Sequence, residues 1–178
     1  MTRWRPGDRR LDTASMIRVD QAGDYGATRI YAGQMAVMRR NCPEAKLIAR
    51  MAAQEERHLK RFNALMADRR VRPTALQPLW NVAGFALGAA TALMSEHAAL
   101  ACTDAVETEI DKHYSDQLAE IGDDDPELAG DILEFQAEEL EHRDTAREAG
   151  AANAVGYPIL TAAIRAGCRV AIALSKRI

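Results

Sequence analysis

Glu-x-x-His occurs twice in this sequence, as Glu55-Glu56-Arg57-His58 and as Glu139-Leu140-Glu141-His142. Residues three apart on a helix share a face, so each motif can turn a carboxylate and an imidazole toward one point. A single such pair is commonplace on helix surfaces. Companion carboxylates sharpen the reading. Asp24 lies 31 residues before Glu55, and Glu107 lies 32 residues before Glu139. With a rise of about 1.5 Å per residue, helices of that length can fold back antiparallel and meet at mid-height. Each hairpin then offers one carboxylate from its first helix and Glu-x-x-His from its second. Asp24, Glu55, His58, Glu107, Glu139 and His142 are thus the candidate ligands of a metal pair. Four carboxylates and two imidazoles form a hard, oxygen-rich set. It favours iron, with manganese as the alternative, over zinc, and no cysteine lies near the motifs. A carboxylate-bridged iron pair suits O2 activation.

The surroundings of the motifs repeat as well. Tyr31 follows Asp24 by seven residues, Tyr114 follows Glu107 by seven, and Gln34 and Gln117 follow at one further offset. About two helical turns place each Tyr on its ligand's face, as a hydrogen-bond partner or an ordinary core residue. Asp20 and Asp111, one turn from Asp24 and Glu107, are candidates to orient a ligand histidine through its outer ring N–H. Glu56, Glu138 and Glu141 flank the motifs and read as solvated partners of nearby arginines. His97 and His113 have no Glu three positions earlier and are set aside as ligands.

These residues need helices to hold them, and the sequence supplies six helical segments. They run over about 12–40, 44–69, 75–95, 95–121 and 126–149, with a sixth opening at Tyr157-Pro158 and closing near Ser175. Pro43 opens the second, and Gly122 to Pro126 is a turn followed by an N-cap. The order is polar-faced, polar-faced, apolar, used twice, which implies a pseudo-repeat over 12–95 and 96–178. The expected fold is all-α, a ferritin-like four-helix bundle with two additional apolar helices. Residues 1–11 are expected to be a flexible basic terminus and 12–178 a single domain. In a chain of 178 residues that is enough for a substantial core.

The net charge of −3 excludes a generally basic nucleic-acid binder. Basic residues gather at the ends, as Arg3, Arg5, Arg9 and Arg10 and again at Lys176-Arg177. They read as solvated termini or as attraction to an anionic membrane. Three widely spaced cysteines, Cys42, Cys102 and Cys168, form no disulfide framework and point to a reducing compartment. No apolar leader opens the chain. Pro73 to Ser95 is an uncharged run of 23 residues, long enough to span a bilayer, and another runs from Ala149 to Ile164. The first is rich in Ala and Gly and reads first as interfacial, then as core, then as spanning. Arg165 and Arg169 share one face of the last helix, as on a helix lying at a membrane surface. A metal pair beside apolar segments suggests a lipid-like substrate reached through a dry channel.

The segment Arg18-Val-Asp-Gln-Ala-Gly-Asp-Tyr-Gly-Ala-Thr-Arg-Ile-Tyr-Ala-Gly-Gln34 resembles the first ligand helix of the demethoxyubiquinone hydroxylase family. Gln54 to Asn63, Glu138 to His142 and Ala166 to Ile172 are similar to it too, and the resemblance spans nearly everything after Leu11. It implies a peripheral membrane monooxygenase of ubiquinone biosynthesis, on the cytoplasmic face of a bacterial inner membrane. Such an enzyme hydroxylates the ring of a polyprenyl methoxy-benzoquinol with O2, two iron ions and an external electron donor such as NADH. The sequence carries no Gly-x-Gly-x-x-Gly nucleotide fingerprint, so residues binding the donor are not assigned. The six family ligands fall on Asp24, Glu55, His58, Glu107, Glu139 and His142. The family pattern has Glu where this chain has Asp24, which is one methylene shorter. The alternatives are a rubrerythrin-like peroxidase or ferroxidase, and a non-catalytic quinone- or lipid-binding bundle. Expected partners are the quinol, a membrane surface, and a second copy or other proteins of the same pathway, with no nucleic acid.

Overall fold

The structure, a computed structural model, describes residues 11–39 and 42–177; Arg3, Arg5, Arg9 and Arg10 lie outside them. The described residues form six α-helices: α1 Thr13–Val37, α2 Pro43–Arg69, α3 Gln77–Met94, α4 Glu96–Ile121, α5 Pro126–Glu148 and α6 Tyr157–Ser175. The described residues contain no strand, and a single 3-10 turn, Ala151–Asn153, precedes α6.

Local chemistry sets the helix ends. Asp12 caps α1 by accepting from the Ser15 amide at 3.0 Å, and Pro43 starts α2 where no amide donor is needed. Ser95 closes α3 and caps α4, its Oγ accepting from the Ala98 amide at 3.0 Å. Asp125 caps α5 by accepting from Leu128 at 3.1 Å. Helix α1 stops at Val37, three residues short of the expected end at 40.

Helices α1 and α2 form one packed pair, and α4 and α5 the other. The outer seam between α2 and α5 is laced by ion pairs. Arg57 meets Glu134 and Glu138, Arg61 meets Asp131 and Glu127, and Arg69 meets Asp125 and Glu127. Numbers rise along α2 as they fall along α5, so the two run antiparallel. Half-exposed pairs of this kind contribute only about 0.2–1 kcal/mol each and serve mainly to set register.

The apolar helices lie on the other side of the bundle. Helix α3 packs on α1 and α4, and α6 on α4 and α1. The α1–α3 contact is backbone to backbone. A Cβ at Gly88 would stand 1.9 Å from the Ile30 carbonyl oxygen, and one at Gly33 would stand 2.1 Å from that of Phe85. Only glycine permits this approach. The outward faces of α3 and α6 leave Leu79, Val82, Leu93, Ile159 and Val170 exposed. Among the described residues, the one helix long and apolar enough to cross a membrane is α6 and not α3. The uncharged run at Pro73 yields only 18 helical residues, and these include Gln77, Asn81 and three positions of Pro and Gly. Arg165 and Arg169 do share a face, but both donate to the buried carboxylate of Glu109 on α4, at 2.6 and 2.9 Å. They therefore strap α6 to the bundle.

Two apolar plugs bracket the middle of the bundle. One contains Ile17, Phe62, Leu65, Tyr114, Leu128 and Phe135, and the other Ala27, Tyr31, Ile48, Met51 and Ala99. Along each of α1, α2 and α4, polar residues fall between the two sets. Apolar packing above and below leaves a buried polar layer at mid-height.

Candidate metal centre

That layer holds Asp24, Glu55, His58, Glu107, Glu139 and His142, each no more than 4% exposed. Two overlapping groups converge. Asp24, Glu55, His58 and Glu139 offer ligand atoms all within 4.8 Å of one another, and so do Glu55, Glu107, Glu139 and His142. Glu55 and Glu139 belong to both groups, as carboxylates bridging two cations would. Each group is completed by one further carboxylate from α1 or α4 and one imidazole from α2 or α5.

The histidines turn Nδ1 inward. His58 Nδ1 lies 3.1 Å from Glu139 Oε1, and His142 Nδ1 lies 3.0 Å from Glu139 Oε2 and 3.4 Å from Glu55 Oε1. Their outer nitrogens are spoken for. His58 Nε2–H donates to Glu138 Oε2 at 2.8 Å, and His142 Nε2–H donates to Gln54 Oε1 at 3.1 Å. Carboxylate and amide oxygens only accept here, which puts a proton on each Nε2; Nδ1 is the nitrogen that would face a cation. His58 also stacks on Phe135, ring centroids 4.1 Å apart.

The electrostatics of the layer call for positive charge. Burial pushes the Asp24 and Glu107 carboxyls well above their ordinary range, and the Glu55 and Glu139 charges push further. Burial and the Glu139 charge likewise raise Glu55. Burial also works against Glu139, but the His142 and His58 rings facing it outweigh burial and hold that carboxyl low. Desolvation alone would lower His142, yet the close Glu139 and Glu55 carboxylates raise it. Ionised together, four carboxylates against two imidazoliums would leave a buried negative excess, so three of the acids are raised; two divalent cations on neutral imidazoles would balance all four charges. Asp24 Oδ2, Glu55 Oε1, Glu139 Oε2 and His142 Nδ1 are buried with no hydrogen bond of acceptable geometry. Such atoms, pointed at a common centre, fit a metal pair.

The neighbouring candidates sort differently. Tyr31 OH donates to Glu107 Oε1 at 3.0 Å. Tyr114 is buried in the apolar plug with Phe62 and Phe135. Asp20 does not reach His58 or His142. It faces α4 and accepts from His113 Nε2 at 3.2 Å and Gln117 Nε2 at 2.9 Å. Asp111 is likewise turned away, accepting from Gln136 and Arg143 at the surface of the α4–α5 pair. Gln34 donates to the Ala99 carbonyl and holds α1 to α4. The residues that do orient the histidines are Gln54, which sequence reasoning left unassigned, and Glu138, which it read only as a partner for arginine. Glu138 does bind Arg57, but its other role is the bond to His58. One signal was available: 54 and 138 each immediately precede the Glu of a Glu-x-x-His.

Beside the polar layer lies an apolar cavity of about 510 Å³ between α1, α3, α4 and α6. Ala22, Gly23 and Val106, sequence neighbours of Asp24 and Glu107, form part of its wall, and Gly26 leaves space open along α1. Its few polar groups include Trp80 and Ser175, whose side chains satisfy each other, Trp80 Nε1 donating to Ser175 Oγ at 3.1 Å. Volume and lining suit a sizeable apolar ligand.

The chain is similar to known proteins over most of its length. The family described as Ubiquinone biosynthesis protein COQ7 matches residues 12–175. A 3-demethoxyubiquinol 3-hydroxylase of Rhodospirillum rubrum is 54% identical over 162 residues, covering 91% of this chain and 76% of the relative. The human NADPH-dependent 3-demethoxyubiquinone 3-hydroxylase, mitochondrial, is 50% identical over 186 residues, covering 99% of this chain and 85% of that protein. The 5-demethoxyubiquinone hydroxylase, mitochondrial, of Saccharomyces cerevisiae is 42% identical over 179 residues, covering 92% and 77%.

Proposed function

The chain belongs to the COQ7 family of ubiquinone biosynthesis proteins, and from that membership we propose that it is a di-iron 3-demethoxyubiquinol 3-hydroxylase. It replaces the ring C–H of a polyprenyl methoxy-benzoquinol by C–OH. One atom of O2 enters the ring and the other leaves as water, with two electrons from an external reductant and two protons. A reduced nicotinamide is the donor of choice, since relatives are named NADPH-dependent. The carrying observation is the pair of four-residue groups sharing Glu55 and Glu139, set beside an apolar cavity.

When bound, two iron ions would supply the redox chemistry that activates O2. Asp24, Glu55, His58 and Glu139 would hold one and Glu55, Glu107, Glu139 and His142 the other. The protein's own contribution is positioning. Gln54 and Glu138 fix the histidine rings with Nδ1 inward, and Tyr31 OH pins one oxygen of Glu107. The apolar plugs keep bulk water from the layer. The cavity takes the quinol with its isoprenoid tail along Trp80, Leu87 and Ile164, and its ring toward the wall beside Asp24 and Glu107. The exposed apolar faces of α3 and α6 lie on the cavity side of the bundle. They would rest on the lipid surface that carries the substrate, with α6 lying in the interface. Three free cysteines accord with a reducing cytoplasmic face.

The test is complementation of a bacterium lacking its own hydroxylase. The demethoxy quinone should disappear and ubiquinone return, and His142→Ala, which strikes one of the two ligand groups, should abolish rescue and take iron loading from about two toward one per chain. Persistent demethoxy quinone despite folded, iron-loaded protein would refute the assignment. Fewer than about one iron per chain after anaerobic reconstitution would favour a non-catalytic bundle, since this type of site holds a metal pair. For the membrane, Leu93→Glu and Ile159→Glu should each weaken cosedimentation with anionic vesicles; unchanged cosedimentation would place the lipid contact elsewhere.

A further inference from the structure

The two histidines are held by the same device used twice, with one difference. The residue before each shared glutamate reaches across the α2–α5 seam to the other helix's histidine. Glu138, before Glu139, accepts from His58 Nε2 at 2.8 Å, and Gln54, before Glu55, accepts from His142 Nε2 at 3.1 Å. The straps touch each other, Gln54 Nε2 standing 3.5 Å from Glu138 Oε2. Arg57 closes the arrangement from the surface by donating to both oxygens of Glu138. Four side chains, His58, Glu138, Gln54 and His142, thus form one continuous chain along the seam. At one end the imidazole is backed by a carboxylate, at the other by a neutral amide.

Apart from Asp24 standing in one group where Glu107 stands in the other, the two ligand sets match, each with three carboxylates and one histidine. We propose that Glu138 and Gln54 are positioning residues that make the two metal positions unequal. The position completed by His58 takes the first and tighter cation, and the one completed by His142 takes the second. A carboxylate accepting from an imidazole N–H raises the basicity of the opposite nitrogen more than an amide does, and so strengthens the metal bond. The charge of Glu138 also lies nearer the His58 position. Tyr31 acts in the same direction from the far side, since its donation to Glu107 Oε1 draws electron density from a ligand of the His142 position alone. This inference rests on the metal-pair reading above and concerns only how that pair is ranked.

The experiment uses the full-length, metal-free chain and Co(II) as probe, titrated anaerobically and followed by visible absorption and by calorimetry. Wild type should bind two Co(II) in two resolved steps. Glu138→Gln should weaken the first step by about ten- to a hundredfold, the effect usual for loss of an outer partner of a ligand histidine, with the second step little changed. Gln54→Glu should tighten the second step and bring the two together, a gain that structural damage does not produce. The spectrum at one equivalent of Co(II) should change in Glu138→Gln, because the first ion then distributes over both positions. Both variants leaving the steps within twofold of wild type, or Glu138→Gln weakening both steps equally, would overturn the ranking. So would a wild type that takes two Co(II) in one unresolved step, with the metal centre left standing. A wild type that takes up no Co(II) would sink the metal centre and the ranking with it.

Discussion

Replacing Gly88 by Ala tests the contact on which the cavity depends. A Cβ there would sit 1.9 Å from the Ile30 carbonyl oxygen, 2.8 Å from its carbon and 3.0 Å from its Cα. Real Cβ contacts essentially never fall below 3.0 Å, so the backbones must part by about 1 Å. The obstructing atoms belong to the α1 backbone, whose own helical bonds hold them, so no side chain can rotate to make room. Overpacking of this kind costs about 1–3 kcal/mol, with a backbone collision at the upper end. Against it stands the gain of up to about 1 kcal/mol when Ala replaces Gly inside a helix. The net expectation is a loss of about 2 kcal/mol. At about 2–4 °C per kcal/mol for a chain of this size, the melting temperature should fall by roughly 4–8 °C. Gly130→Ala is the matched control. Its Cβ meets nothing within 4 Å and it lies exposed in α5, so only the propensity gain applies and the protein should melt slightly higher. Thermal melts of both metal-free variants beside wild type decide the matter. If Gly88→Ala melts with the control, α1 and α3 do not approach as described and the cavity wall is misplaced.

Asp24→Asn and Glu107→Gln each strike one of the two ligand groups, so metal content after reconstitution should fall from about two toward one per chain; Glu139→Gln, which strikes both, should fall toward zero. Metal analysis showing two ions bound to Asp24→Asn would remove Asp24 from the centre. Gly26→Leu places its Cβ in open space but sends its side chain into the cavity. Stability should hold or rise while quinol turnover drops at least tenfold, and normal turnover would put the substrate elsewhere. Asp125→Ala removes the α5 cap and the Arg69 ion pair, at a cost of about 1 kcal/mol from the cap alone. The hydrogen bond from Arg69 outweighs partial burial and holds the Asp125 carboxyl below the ordinary 3.8. Its charge-dependent stabilisation is therefore present above pH 3.8 and lost as pH falls through the lower folded value. Denaturation of wild type and Asp125→Asn should differ at neutral pH and converge in strong acid.

The helices and their mid-height meeting were legible because both depend on short-range regularities. Caps at Asp12, Ser95 and Asp125, prolines at 43 and 126, and near-equal spacings of 31 and 32 residues place four helices in register. What escaped depends on which helices are neighbours. Gln54 and Glu138 act across the α2–α5 seam; their place before each Glu-x-x-His marks them, but not that each acts on the other helix's histidine. Asp20 lies one turn from Asp24, yet a single turn is enough to face it toward His113 and Gln117 on α4. Arg165 and Arg169 share a face as their spacing requires, but only packing shows that Glu109 lies under it. For α3 the composition was ambiguous between core, interface and span. Glycines at 33 and 88 settle its inner side by bringing it onto α1, while Val82 and Leu93 on its outer side stay exposed.

The two sides of the bundle divide the work. Both imidazoles, and both residues that orient them, come from α2 and α5, which face each other across a seam closed by arginine–carboxylate pairs. The cavity is walled by α1, α3, α4 and α6, and the ligands nearest to it are Asp24 and Glu107, each of which belongs to a single group. A substrate in that cavity therefore meets the metal layer on its carboxylate side, where α1 and α4 bring glycine and alanine close beside the ligands. The histidine side is shut by ion pairs and held by the Glu138–Gln54 straps. Changes on α2 and α5 should then alter metal affinity and leave quinol binding alone, while changes at Gly23, Gly26 or Val106 should do the reverse. Helix α1 is the link between the two functions. It carries Asp24 of the candidate metal layer and, six residues further along, the Ile30 carbonyl that seats Gly88 of α3, so one rigid element sets both that layer and the cavity wall.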